Sequence, residues 1–297
     1  MERTTEPTRP STLAEMRKRL SGFITPSGRE QGLALALRPT DVVITPFGKS
    51  GTTWTQQIVH TLRTRGDMDF DDISRVVPWI ETSCDLGLDL DGDQKAAPRA
   101  FKSHLTWEDV PKGGRYINVI RNPADVLVSM FHFQEGWFWE VGAVDIDTYA
   151  TEDFLASRGY YKHLRSWWDK RRDDDVLYLA YEQMLQEPTE TIRRIARFIG
   201  IALDDELLAL TEAHASLEFM LQHKDRFYDA FMRALSEDRC GLPPGSDSAK
   251  VRAGKAGSGS ILSASTRRLM HEVWAEEVTA ALGLADYESL LTALDES

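Results

Sequence analysis

A short apolar run, Asp41-Val-Val-Ile-Thr45, leads at once into Pro46-Phe-Gly48-Lys49-Ser50-Gly51-Thr52-Thr53-Trp54. Apolar residues then recur at Trp54, Ile58 and Leu62, and Gly66 stops the pattern. A continuous apolar run of this length suits a strand buried on both faces, and the three-to-four spacing after it suits a helix. The segment therefore predicts strand, glycine turn and helix. Arg99-Ala-Phe-Lys102, Tyr116-Ile-Asn-Val-Ile120 and Val176-Leu-Tyr-Leu-Ala180 repeat the strand signature. Pro123 and Pro188 stand at helix starts, and Gly200 closes the helix that carries Ile192, Ile195 and Ile199 on one face. Strands alternating with helices predict an α/β fold: a single domain with a central parallel sheet flanked by helices and a P-loop-like strand-loop-helix. Residues 1–25 read as a flexible N-terminal tail and 26–297 as the domain. Thr266 to Leu282 reads as the last helix, ended by Gly283. Gly241 to Ser260, rich in Gly, Ser and Pro, reads as a long loop, either functional or disordered.

The formal net charge of −12 argues against a nucleic-acid surface, so any anionic ligand must be held by a local cluster of donors. No run of eighteen apolar residues is present, so no membrane span is expected. Met1 to Pro10 are polar, with no apolar stretch of a secretory leader behind them. Cys84 and Cys240 are far apart and read as free thiols. Together these features predict a cytoplasmic protein. No metal-ligand spacing is found, so no metal is expected.

Gly48-Lys49-Ser50 looks like the end of a nucleotide-triphosphate loop, but the first glycine of that motif would fall at Val43, inside the strand. The loop nonetheless suits a phosphate. Lys49 supplies charge, Ser50, Thr52 and Thr53 supply hydroxyls, and Gly51 opens a helix whose first N–H groups face an anion.

Lys49-Ser-Gly-Thr-Thr-Trp54 resembles the 5′-phosphosulfate loop of the PAPS-dependent sulfotransferases of the cytosolic type; PAPS is 3′-phosphoadenosine 5′-phosphosulfate. Further segments match that family in its order over roughly residues 40 to 285. Phe101-Lys-Ser-His104-Leu resembles its lysine-x-histidine segment. Tyr116 to Ser129, through Arg121-Asn-Pro-Ala-Asp125, resembles its 3′-phosphate segment. Val176 to Tyr181 and Pro188 to Gly200 resemble the following strand and helix. His214-Ala-Ser216-Leu-x-x-Met220 resembles its adenine segment, and Arg252-Ala253-Gly254 its late basic motif. Gly48 replaces the family's usual proline, Ala253 replaces a lysine, with Lys250 or Lys255 as possible substitutes, and Gly257-Ser-Gly259 stands where Gly-Asp-Trp is common. The family's dimerisation segment is not recognisable, which leaves the oligomeric state open.

The resemblance implies transfer of a sulfuryl group from PAPS to a hydroxyl of a small acceptor, with PAP as product. His104 would be the general base, and Lys49 and Lys102 would stabilise the leaving phosphate. A histidine base implies a rate that falls below about pH 6.5, lower if burial or the neighbouring lysine depresses it. The donor would lie on residues 49–54, Arg121, Ser129, Tyr181, Ser216, Met220 and residues 252–254. Trp54 either stacks on adenine or packs in the core. Trp79, Phe138 and Trp139 either line an acceptor cleft for an apolar or aromatic alcohol or pack internally. Of the remaining histidines, His60, His163 and His271 read as surface or packing residues, and His132 could lie near the site. The acid pairs, Asp71-Asp72 among them, read as solvated turns. An ATP-dependent kinase and a non-catalytic nucleotide-binding protein on the same fold are the competing readings.

Overall fold

The computed structural model describes residues 7–248, 250, 251 and 254–296. Four strands, β1 (Val42–Ile44), β2 (Ala100–Lys102), β3 (Arg115–Ile120) and β4 (Val176–Ala180), form one sheet in the order β2-β1-β3-β4. All pairings are parallel, with Val43 opposite both Phe101 and Tyr116, and Ile117 opposite Leu177. These are the four strands the apolar runs predict.

The pleat explains why the runs are unbroken. Val43, Phe101 and Tyr116 point into one apolar cluster, which includes Val126, Leu127 and Leu164. Val42, Ile44, Ala100 and Ile117 point into the other, with Ile58, Leu62, Ile192 and Ile195. The strands are thus largely apolar because helices cover both faces, with Lys102, Arg115 and Asn118 as the exceptions. On the second face pack the helices Thr52–Thr64, Pro188–Ile199 and Asp205–Ala215. On the first lie Pro123–Trp137 and Gly159–Trp168.

At the amino ends of β1 and β2, Asp41 and Arg99 form a buried ion pair, with side chains 0% and 5% exposed. Arg99 donates from Nε to Asp41 Oδ1 at 3.0 Å and from Nη1 to the carbonyls of Leu90 and Asp91, each at 3.0 Å. The Arg38 N–H adds a third donor to Asp41, at 2.8 Å.

Both ends of the chain depart from expectation. Leu13–Leu20 is a helix capped by Thr12, and Leu13 and Met16 are buried in the first cluster. Phe23 packs edge-on against Trp137 and Phe138. The described part of residues 1–25 is therefore built into the domain, because one helix turn is enough to bury two apolar side chains. Residues 1–6 lie outside the described residues. The helical pattern from Ala264 ends at Gly283 as expected, with a wide turn over Ala275–Thr279. A further helix, Tyr287–Asp295, follows it and buries Tyr287 and Leu290. The Tyr287 hydroxyl donates to Glu182 Oε2 at 2.7 Å.

Candidate active site

In a parallel sheet the loops after the strands share one edge, and a crevice opens where the chain switches direction across the sheet. Here β1 lies between β2 and β3, so that switch falls at β1. Each strand releases a candidate residue at its carboxyl end: Lys49 after β1, His104 after β2, Arg121 after β3 and Tyr181 after β4. All four line one cavity of about 750 Å³.

The β1 loop is shaped by two left-handed residues. Lys49 has φ of +70° and Gly51 φ of +96°, the latter as N-cap of the helix Thr52–Thr64. Glycine is required at 51 on two grounds: its backbone conformation, and a Cβ that would approach Tyr181 Cδ2 to 3.0 Å. No side chain caps this helix. Its first N–H groups therefore face the cavity mouth as an anion site. The Ser50 and Thr52 hydroxyls are buried without a protein partner, as is Arg121 Nε. Unpartnered buried donors around a helix start are what a bound phosphate or sulfate would satisfy.

Arg121 is held in place from several sides. It donates from Nη1 to the Lys49 carbonyl at 3.0 Å and from Nη2 to the Lys255 carbonyl at 3.2 Å. Its guanidinium lies 4.3 Å from the Tyr181 ring centroid. Tyr181 in turn meets Trp54 edge-on at 5.7 Å. One helical turn beyond Arg121, Asp125 accepts from the backbone N–H groups of Gly257 and Gly259, both at 2.8 Å. This anchors the end of the late glycine-rich loop beside the arginine. Ser129 and Gly254 also line the cavity. Arg252 and Ala253, expected at the 3′-phosphate, lie outside the described residues.

His104, Lys102 and Trp79 form a second group on the cavity wall. His104 Nδ1 lies 2.7 Å from the Pro46 carbonyl. A carbonyl only accepts, so Nδ1 carries the proton and Nε2 keeps its lone pair. The His104 backbone N–H donates to buried Glu81 at 2.8 Å. Burial pushes the Glu81 carboxyl above its ordinary range. Burial first, and the Lys102 charge second, push the His104 imidazole down to about 3. Lys102 is itself lowered to about 8, by burial and then by the charge of Lys250. Its ammonium lies 4.6 Å from the Trp79 ring, and that of Lys49 lies 4.5 Å from the Phe133 ring.

The candidate acceptor residues divide. Trp79 lines the cavity and meets His104 edge-on at 5.2 Å. Phe138 and Trp139 do not line it: both are buried in the first core cluster, Trp139 completely. Their place on the cavity wall is taken by Met130 and Phe133. Phe133 follows Ser129 by four residues, and that helical spacing was the available signal. His132 also lines the cavity, 3.6 Å from Glu135, whereas His60 and His163 are buried packing residues. At the adenine segment, Met220 lines the cavity but Ser216 is the N-cap of the helix Leu217–Gln222, accepting from Phe219 N at 3.2 Å. Asp72, read as a solvated turn, is 1% exposed and caps Ser74. Among the described residues, no group of His, Cys, Asp and Glu could hold a metal ion, and no helix is long and apolar enough to cross a membrane.

An anion site at a helix start, an arginine at the next strand end and a histidine backed by a lysine define a group-transfer enzyme acting on a phosphorylated or sulfated donor. The sulfotransferase-domain family matches residues 39–258 of the 297. Mouse sulfotransferase 1B1 is 34% identical over 201 residues, covering 62% of this chain and 67% of that one. Rat sulfotransferase 2A1 is 32% identical over 213 residues, covering 66% and 72%. Retinol dehydratase, solved with androsterone and inactive cofactor PAP, superposes with a TM-score of 0.65 at 20% identity over 91% of this chain and 96% of that one. Mouse SULT7A1, solved with PAP, gives 0.64 at 19% identity over 92% and 94%. The chain belongs to the sulfotransferase family.

Proposed function

We propose that the protein transfers a sulfuryl group from PAPS to the hydroxyl of a small apolar or aromatic acceptor. The observation that carries this reading is the concentration of charge. On a chain of net charge −12, Lys49, Lys102, Arg121, Lys250 and Lys255 line one cavity, with Asp229 as the carboxylate among its described lining. The unpartnered Ser50, Thr52 and Arg121 donors fit a phosphorylated donor, and both structural neighbours above were solved with PAP.

When bound, PAPS supplies the sulfuryl group and a bisphosphate leaving group. Lys49 and the N-terminal N–H groups of the following helix offset the negative charge that grows on the leaving phosphate. His104 Nε2 takes the acceptor's hydroxyl proton as the acceptor oxygen bonds to sulfur and the sulfur–oxygen bond to the phosphate breaks. Arg121 and Ser129 grip the 3′-phosphate, and Trp54 and Tyr181 lie where they can flank the adenine. Trp79, Met130 and Phe133 give the acceptor an apolar wall beside His104. The androsterone held by retinol dehydratase supports an acceptor of that kind.

Arg121→Ala weakens binding of 3′,5′-adenosine bisphosphate by about 1.5–3 kcal/mol, the usual worth of a charge-assisted hydrogen bond. Isothermal calorimetry on the folded variant reads this, and an affinity within about twofold of wild type removes Arg121 from the phosphate. The reading as a whole is tested by labelled-sulfate transfer from PAPS over a panel of phenols, steroids and aliphatic alcohols. Transfer to at least one apolar hydroxyl is expected. Absence of transfer across the panel, in a protein that binds the bisphosphate, favours a non-catalytic binding role.

A further inference from the structure

Beside the transfer end of the cavity lies a buried charge cluster that the reaction described so far leaves unused. Lys250 and Asp229 form an ion pair with side chains 9% and 2% exposed, and both line the cavity. Asp229 stands at the N-cap of the helix Ala230–Cys240 with φ of +50°, yet its side chain does not cap that helix. It is committed instead to Lys250 and to the Ser74 hydroxyl, which donates to it at 3.2 Å. Ser74 opens the short stretch that runs to Pro78 and Trp79. Lys102 docks on that stretch through its backbone N–H to the Pro78 carbonyl at 2.8 Å and its ammonium on Trp79. The pair is thus tied to Lys102 by one short segment.

We propose that Asp229 and Lys250 are positioning residues of the transfer site: the pair holds a second ammonium at the Lys102 end of the cavity and so sets the charge that Lys102 presents to a bound sulfate group. The purpose assigned here rests on the sulfuryl-transfer reading; the effect on Lys102 does not. The charged and titratable groups around Lys102 are Lys250, Asp229, Asp72, Glu81 and His104. Burial is the first cause that favours loss of the Lys102 proton and the Lys250 charge the second, and the three carboxyls oppose it. The carboxyls feel one another as well. Asp229 is held below the ordinary carboxylate range by the two lysines, against the burial that would raise it. Asp72 is pushed above the ordinary carboxylate range by burial and by Asp229. Lys102 is therefore protonated below about pH 8 and neutral above it, and a reaction that needs its charge loses rate as the pH rises through that value.

The test is an NMR titration of lysine side chains in the ligand-free protein, with the Lys102 signal assigned by its loss in Lys102→Arg. Lys250→Met removes the repelling charge and is expected to raise the Lys102 midpoint measurably. Asp229→Asn removes an attracting charge and is expected to lower it. Lys250→Arg keeps the charge and is expected to leave the midpoint near that of wild type. A midpoint unchanged in Lys250→Met, or moved equally by Met and Arg, overturns the proposal. Should Asp229→Asn not fold with Lys250 buried and alone, the double variant Asp229→Asn/Lys250→Met carries that arm. Its midpoint is expected below that of Lys250→Met, and equality of the two removes Asp229 from the account. The titration needs no donor or acceptor, so a protein that fails to bind 3′,5′-adenosine bisphosphate sinks the sulfuryl-transfer reading without touching this result.

Discussion

With His104 as the proposed general base, His104→Ala is expected to lower the rate of sulfate transfer by roughly 10²–10⁴-fold, the usual worth of such a group, and to leave bisphosphate affinity nearly unchanged. The imidazole faces the Trp79 end of the cavity, whereas Arg121, Tyr181 and Trp54 cluster together elsewhere on its wall. The Nδ1 proton is committed to the Pro46 carbonyl, which leaves Nε2 as the basic atom. The pH profile gives a second signature. The imidazole is depressed to about 3, so it is neutral at every pH above that value. The acid limb of kcat/KM due to His104 is therefore expected far below the ordinary histidine value of about 6.5. Single-turnover transfer from PAPS to an acceptor found in the panel reads both effects. A His104→Ala enzyme within a few-fold of wild type assigns the proton to another group, and His132, also on the cavity wall, becomes the candidate.

Asp41→Ala is expected to destabilise the protein by about 3–5 kcal/mol, because it leaves Arg99 charged, buried and without its carboxylate. Arg99 keeps its bonds to the Leu90 and Asp91 carbonyls, but these do not neutralise it. Asp41 and Arg99 lie at the amino ends of β1 and β2, opposite the edge that carries Lys49 and His104. The variant that remains folded is therefore expected to bind the bisphosphate as wild type does. Urea unfolding of the two proteins side by side is the measurement. A loss below about 1 kcal/mol, the worth of an exposed pair, means that the two charges are solvated and do not hold the strand ends.

The parts of this structure legible in the sequence are those governed by local spacing. The strands could be read because helices on both faces enclose every residue of β1 and every residue of β3 after Arg115. The cavity could be located because a parallel sheet brings the residues after its strands to one edge, which is where Lys49, His104 and Arg121 stand. What could not be read depends on distant partners. Asp72 looks like any surface acid beside Asp71, but it is buried against Asp229, 157 positions later in the chain. Lys250 looks like a loop lysine until Asp229 is seen to hold it. Trp137, Phe138 and Trp139 form an aromatic run whose facing is decided by Phe23, Phe131 and Tyr149, none of which the local pattern indicates. That the helix Leu13–Leu20 belongs to the domain could not be read, since its two buried residues make sense only against the core they join.

The reading of the cavity as a PAPS site turns on recognition of a phosphate at the 3′ position of the nucleotide. Isothermal calorimetry of the ligand-free protein with 3′,5′-adenosine bisphosphate and with ADP, at one pH and one salt concentration, addresses it directly. The clamp proposed for Arg121 and Ser129 predicts tighter binding of the 3′,5′-bisphosphate, by about tenfold or more, since one charge-assisted hydrogen bond is worth about 1.5–3 kcal/mol. Equal affinity for the two nucleotides, or tighter binding of ADP, contradicts it.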